Sequence, residues 1–208
     1  MEVISVTADA DVFTCNAYLV LGDRTVLVDA GAMTGVDDVV AEHTDHLDAV
    51  VVTHQHSDHV AELAAVVDRF EPDVYAYADH PLRTHELGDG DDVVMGDESF
   101  DVVYTPGHAD DHVSLVSSRS VFSGDVVVYN DGAYDDGSFG RTDMAGQSRE
   151  RLISSLQTLL DRLPETVESM YAGHGDVFEN EPDGDTVRDV VERALGRAEE
   201  RTPKYPEA

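Results

Sequence analysis

Between Thr53 and His59 the chain reads THQHSDH, placing three imidazoles and a carboxylate on one short stretch. The whole chain has ten histidines in 208 residues, so this crowding is not a matter of composition. Upstream, Leu47-Asp48-Ala49-Val50-Val51-Val52 is an apolar, β-branched run that predicts a buried strand. Downstream, Val60, Leu63, Ala64 and Val67 recur at helical spacing. The histidines therefore belong to a strand-to-helix turn, where a rigid scaffold presents side chains outward. Imidazole and carboxylate together are ligands for a borderline divalent ion. Four further segments repeat the arrangement: Asp29-Ala30-Gly31, Thr105-Pro106-Gly107-His108, Ser123-Gly124-Asp125 and Ala172-Gly173-His174. Each follows an apolar strand-like run and sets a polar ligand type at or near a glycine. Loops at one edge of a sheet would bring such side chains together. They suffice for two adjacent ions sharing a carboxylate, with an open position for water.

The elements that must position these residues alternate along the chain. Val3 to Val6, Ala17 to Leu21 and Thr25 to Val28 read as strands, the last two joined by a Gly22-Asp23-Arg24 turn. Val36 to His43 predicts a short helix, and a second runs from about Val60 to Phe70. Strands are expected around Val74 to Ala78, Val93 to Met95, Asp101 to Tyr104, Val113 to Ser117 and Val121 to Ser123. A Gly- and Asp-rich loop, Tyr129 to Gly146, precedes an amphipathic helix over Ser148 to Leu163, with Leu152, Ile153, Leu156, Leu159, Leu160 and Leu163 on one face. A strand over Ser169 to Ala172 and an acidic helix over Asp185 to Glu200 complete the pattern. Strands followed by helices, twice over, imply sheets covered by helices. No Pro- or Ser-rich linker divides the sequence, so residues 1–208 are expected to form a single domain.

The joint pattern of HxHxDH, a histidine in PGH, an aspartate in SGD and a histidine in GH resembles the metallo-β-lactamase superfamily, over roughly Asn16 to His174. The resemblance implies an α+β fold, a four-layer αββα sandwich with its metal ligands on loops along one edge. It places His54, His56 and His108 on one metal ion and Asp58, His59 and His174 on a second, with Asp125 bridging both. The ions would be two divalent metals, zinc first and iron or manganese as alternatives. Asp29 matches the superfamily's DxG segment, whose carboxylate orients a metal-binding histidine. His112 matches a frequent further histidine. Gly140-Arg141-Thr142-Asp143 is similar to a segment of short glyoxalase II-like proteins and persulfide dioxygenases; the plain alternative is that Arg141 and Asp143 pin the loop to the helix start. His43, His46, His80 and His85 match nothing in the pattern and read as surface residues, and Cys15 reads as a small core residue.

The function so implied is a dinuclear metallohydrolase acting on a small ester or thioester, glyoxalase II-like, through a metal-bridging hydroxide, with Asp58 orienting or accepting a proton. The alternative is a sulfur oxygenase resembling persulfide dioxygenases, where His54, His108 and Asp125 would hold one Fe(II) with positions open to oxygen. A nuclease is a third class, but a chain with one lysine, Lys204, offers no basic track. A non-catalytic scaffold would have no need of the whole ligand set. The expected partner is thus a small-molecule substrate, neither nucleic acid nor a membrane, and a homodimer is compatible with it. Phe139, Tyr129 and Tyr134, on the loop before the amphipathic helix, are candidate walls of a substrate gate.

Composition bounds the setting. Nothing approaches the ~18 consecutive apolar residues of a membrane span. The N-terminal MEVISVTADADVF lacks the basic-then-apolar order of a secretory signal, and one cysteine excludes an intrachain disulfide, so a cytoplasmic protein is expected. There are 44 acidic against 13 basic residues, a formal net charge of −31. The acids are interleaved with apolar runs throughout, which argues for a folded, strongly hydrated surface in a salt-rich, halophilic cytoplasm rather than a disordered acidic tail. Removing salt should therefore weaken the fold, because the Debye length grows from ~3 Å at 1 M to ~30 Å at 0.01 M. Thermal melts across that range should show a steep fall in Tm; a flat Tm would mean that the acidity has another cause.

Overall fold

A computed structural model of the chain describes residues 1–180, 182, 184–201 and 204. These fall into two compact units, Met1–Phe100 and Asp101–Ala208. Among the described residues two six-stranded mixed sheets and five α-helices account for the regular structure, so the expected α+β class is borne out. Among the described residues no helix is long and apolar enough to cross a membrane.

The first sheet has the order β1 (Glu2–Ser5), β2 (Tyr18–Leu21), β3 (Val26–Val28), β4 (Ala49–Val51), β5 (Asp73–Ala76), β6 (His85–Glu86). β1, β2 and β3 are antiparallel neighbours, whereas β3, β4, β5 and β6 run parallel. Every residue of β3 and β4 is buried, which explains why both read as unbroken apolar runs rather than as alternating patterns. Helices α1 (Val36–His43), α2 (Ser57–Val60) and α3 (Leu63–Phe70) follow β3 and β4. Val36, Val40, Leu63 and Val66 bury against Leu19, Leu27, Val50 and Val74 to form this unit's core. Because β3 and β4 are parallel, with Val28 opposite Val51, the chain leaves both strands at the same edge of the sheet. That edge carries Asp29 and Thr53-His54.

The second sheet has the order β12 (Phe178–Glu179), β11 (Ser169–Ala172), β10 (Ser120–Gly124), β9 (Val113–Val116), β8 (Glu98–Tyr104), β7 (Asp92–Met95). β10 and β11 are parallel, and β9 is antiparallel to both β8 and β10, so β8, β10 and β11 point the same way. Their carboxyl ends lead into His108, Asp125 and His174, one loop each. Helix α4 (Arg149–Arg162) starts at Ser148, whose side chain accepts the Arg151 N–H, and α5 (Val187–Glu199) starts in a Thr186–Asp189 capping box. Leu152, Leu156 and Leu159 of α4 and Val187, Val190, Val191 and Ala194 of α5 are fully buried in one cluster with Phe139 and Met170. Ile153 and Leu160, also expected on the apolar face of α4, are half-buried at its margin.

Two elements escape the sequence pattern. β6 and β12 are two-residue edge strands, too short for any periodicity to register. The turn expected at Ser57 closes instead into the one-turn helix α2, so Asp58 and His59 stand on helical backbone.

Candidate metal centre

In the first unit the carboxylate of Asp29 organises the histidine stretch. Asp29 has φ 59, left-handed backbone that aspartate tolerates better than most residues, directly where β3 ends. Its Oδ1 accepts the Thr53 N–H at 2.8 Å; its Oδ2 accepts the Thr53 hydroxyl at 2.7 Å and faces His59 Nδ1 at 2.9 Å. A carboxylate only accepts, so His59 Nδ1 carries the proton and Nε2 keeps its lone pair. The same logic passes through Thr53. Its hydroxyl hydrogen is committed to Asp29, so its oxygen accepts from His54 Nδ1 at 3.2 Å. His54 Nε2 is thereby left as a donor atom as well. It lies 3.1 Å from His56 Nδ1, and the His54 and His59 rings are 4.0 Å apart. Asp58 Oδ2 stands 3.9 Å from His59 Nε2. Four nitrogen and oxygen ligand types thus gather on this short segment. Its backbone is held by the Ala30 and Gly31 N–H groups, both donating to the His59 carbonyl, and by the Cys15 N–H, donating to the Asp58 carbonyl.

In the second unit two imidazoles converge on one carboxylate oxygen. His108 Nε2 lies 3.3 Å and His174 Nε2 3.5 Å from Asp125 Oδ2. His108 Nδ1 is 2.9 Å from the Arg141 carbonyl, which can only accept, so the proton again sits on Nδ1 and the lone pair on Nε2. His112 is fully buried and serves as a strut: its Nε2 accepts the Asp125 N–H at 2.9 Å and its Nδ1 faces Thr105 Oγ1 at 2.8 Å. Gly173 donates its N–H to the Gly124 carbonyl at 2.9 Å, tying the His174 loop to the Asp125 loop.

The donor set suits a divalent metal. Imidazoles whose Nδ1 is tethered to an acceptor present a basic, oriented Nε2, and carboxylate oxygens stand beside them in both units. His43, His46 and His85 are exposed, His85 stacking on Tyr75, and His80 is half-buried with Nδ1 accepting the Leu82 N–H. Cys15 is buried, and its sulfur together with donor atoms of Asp29 and His59 forms a group spanning no more than 4.8 Å. The Thr53 relay and the Arg141 carbonyl have no counterpart in the sequence reading, because a threonine in a turn and a main-chain oxygen carry no ligand signal.

The loop expected to gate a substrate is anchored at several points, and Phe139 is not one of its walls. Phe139 is fully buried in the core beneath the Arg149 guanidinium, 4.1 Å from its ring, and Tyr129 packs edge-on against Phe178. Arg197 lies over the Tyr134 ring and bonds both Asp136 and the Gly137 carbonyl. Lys204 is buried in an ion pair with Asp131, and burial holds its pKa below the usual lysine range.

Residues 10–81 match the family model for the metallo-β-lactamase superfamily. The hydroxyacylglutathione hydrolase of Aliivibrio fischeri (strain MJ11) is 33% identical over 184 residues, covering 83% of this chain and 68% of the relative. The chain belongs to the metallo-β-lactamase superfamily. Among solved structures, ETHE1 from Myxococcus xanthus is 26% identical over 91% of this chain and 87% of its own, with a TM-score of 0.67. TTHA1623 in a di-iron-bound form is 29% identical over 79% of this chain and 89% of its own, with a TM-score of 0.64. The superfamily fold expected from the motifs is therefore present, and the chain is an enzyme on the side of the superfamily's metal-dependent hydrolases. Divalent metal use comes with that membership.

Replacing Asp29 by Ala leaves the Thr53 N–H, the Thr53 hydroxyl and His59 Nδ1 without their shared acceptor. Each such buried group costs about 1–3 kcal/mol. Urea unfolding of chelator-treated protein should show Asp29→Ala destabilised by at least about 2 kcal/mol; a change within ±0.5 kcal/mol, the usual range for surface substitutions, would contradict the relay.

Proposed function

We propose that the protein is a dinuclear metal-dependent hydrolase acting on a small ester or thioester, in the manner of glyoxalase II. The observation that carries this reading is the similarity to hydroxyacylglutathione hydrolase across 83% of the chain. On this reading the two units work as one domain. His54, His56 and His108 hold one ion, Asp58, His59 and His174 hold the other, and Asp125 is shared. Zinc fits the imidazole–carboxylate set best, with iron or manganese acceptable. Bound there, the ions would lower the pKa of a shared water toward neutrality and polarise the substrate carbonyl.

The chain's own groups do the remaining work. Asp29 holds two imidazoles, His59 directly and His54 through the Thr53 hydroxyl, in the tautomer that offers Nε2. Asp58, half-buried beside His59, would orient the attacking water and take up its proton. Cys15 donates its N–H to the Asp58 carbonyl, fixing the backbone from which that carboxylate projects. The substrate is a small molecule, and a cytoplasmic, salt-rich setting and a homodimer are compatible with this chemistry. A second reading, an iron sulfur oxygenase resembling persulfide dioxygenases, draws support from the likeness to ETHE1. It needs only His54, His108 and Asp125.

One variant separates the two. With dinuclear hydrolysis, the wild type binds close to two ions per chain and cleaves a hydroxyacyl thioester of glutathione. His59→Ala then loses one ion and at least ~100-fold in turnover, and Asp125→Ala loses hydrolysis and metal together. An oxygenase would keep one iron and full oxygen consumption with a persulfide in His59→Ala. Metal analysis and both assays on these variants decide the matter, and wild-type hydrolysis in His59→Ala would defeat the dinuclear reading.

A further inference from the structure

Gly140 sits against two of the second unit's candidate ligand residues, on the side away from their metal-facing atoms, more tightly than any side chain would allow. A Cβ built on it would lie 2.0 Å from the Asp125 carbonyl oxygen and 2.9 Å from His108 Nδ1. Its own N–H donates to that Asp125 carbonyl at 2.8 Å. The next residue, Arg141, supplies the carbonyl that accepts from His108 Nδ1 at 2.9 Å. One dipeptide thus holds two candidate ligands that come from different loops. The charged side chains of the same motif point to another task. Arg141 pairs with Asp143 through two 2.9 Å bonds, keeping the exposed Asp143 carboxyl below its ordinary pKa.

Both ends of the dipeptide are anchored. Phe139 is locked in the core, and Thr142 Oγ1 accepts from Arg149 Nε at 2.7 Å at the start of α4. Asp125 is gripped through both its main-chain groups, its N–H by His112 and its carbonyl by Gly140. The His108 loop is fastened to the same helix, with Ser148 donating its N–H to the Gly107 carbonyl at 2.9 Å and Ser155 its hydroxyl to the Pro106 carbonyl at 2.6 Å.

We infer that Gly140-Arg141 is a positioning segment that acts through its main chain, fixing the His108 tautomer and the place of Asp125 so that both are set to receive a metal ion. Glycine is required at 140 for space, and the Arg141–Asp143 pair stiffens the loop without taking part in metal binding. The inference rests on the reading of His108 and Asp125 as metal ligands.

The test uses the full chain loaded with cobalt(II), whose visible absorption reports ligand geometry. Affinity is measured by competition with a chromophoric chelator, and chelator-treated protein is melted separately to monitor the fold. Gly140→Ala is expected to bind cobalt ~10–100-fold more weakly, the usual cost of losing an outer-sphere partner. Its cobalt spectrum should change, while the metal-free melt stays cooperative at a Tm lowered by the local strain. Asp143→Ala should keep the wild-type spectrum and affinity. If Gly140→Ala does not fold, replacing the Gly140 amide by an ester removes the one N–H without adding an atom, and the same weakening is expected there. Wild-type affinity and spectrum in Gly140→Ala, or in the ester when that is the variant tested, would overturn the inference. So would an equal loss in Asp143→Ala. A wild-type protein that binds no cobalt would overturn the metal-site reading, and the inference with it.

Discussion

A neutral imidazole has one proton and two nitrogens, and a metal site works only if the proton sits on the nitrogen away from the metal. That constraint governs the arrangement in both units. In the first, a single buried carboxylate, Asp29, settles two rings: His59 directly and His54 through the Thr53 hydroxyl. The relay is possible because β3 and β4 are parallel neighbours in register, so Asp29 and Thr53 leave the sheet side by side. The left-handed backbone at Asp29 turns the chain at the strand end, where the carboxylate receives three hydrogen bonds. Strand order, backbone conformation and tautomer are thus one connected requirement.

The second unit meets the same constraint by different means. Behind His108 stands a main-chain carbonyl, delivered by a loop anchored through Phe139 and Arg149. Main-chain anchoring tolerates changes of side chain except where space is exhausted, as at Gly140 and at Gly175, whose Cβ would lie 1.9 Å from the Tyr129 carbonyl. His112 adds a third solution, a histidine used as a strut, with one nitrogen accepting from Asp125 and the other committed to Thr105. Its tautomer is the same as that of the candidate ligands, Nδ1–H with an Nε2 lone pair. The lone pair is spent on an amide, so residue type alone would not tell it from a ligand.

Much of this was legible in the sequence. The apolar runs at Val26–Val28 and Ala49–Val51 marked strands, the second of them buried, and the leucines of Arg149–Arg162 marked the packed face of a helix. The ligand types at strand ends followed from glycine turns placed after those runs, and the DxG segment pointed to Asp29. Three kinds of feature were not legible. Two-residue strands such as His85–Glu86 have no period to detect. Aromatic residues of a loop, such as Phe139, look alike whether they line a substrate or fill a core, and here Phe139 fills the core. Main-chain contacts leave no trace in residue type, so Gly140-Arg141-Thr142-Asp143 drew notice for its charges while its contacts to His108 and Asp125 run through the backbone.

The proposed function requires these two sets of oriented donors to serve one pair of ions. The most direct measurement is diffraction from crystals grown with zinc, recorded on both sides of the zinc absorption edge. The account predicts two anomalous peaks per chain ~3.5–4 Å apart, with Asp125 touching both, His108 at one and His174 at the other. A single peak, or two peaks too far apart to share the Asp125 carboxylate, would contradict it.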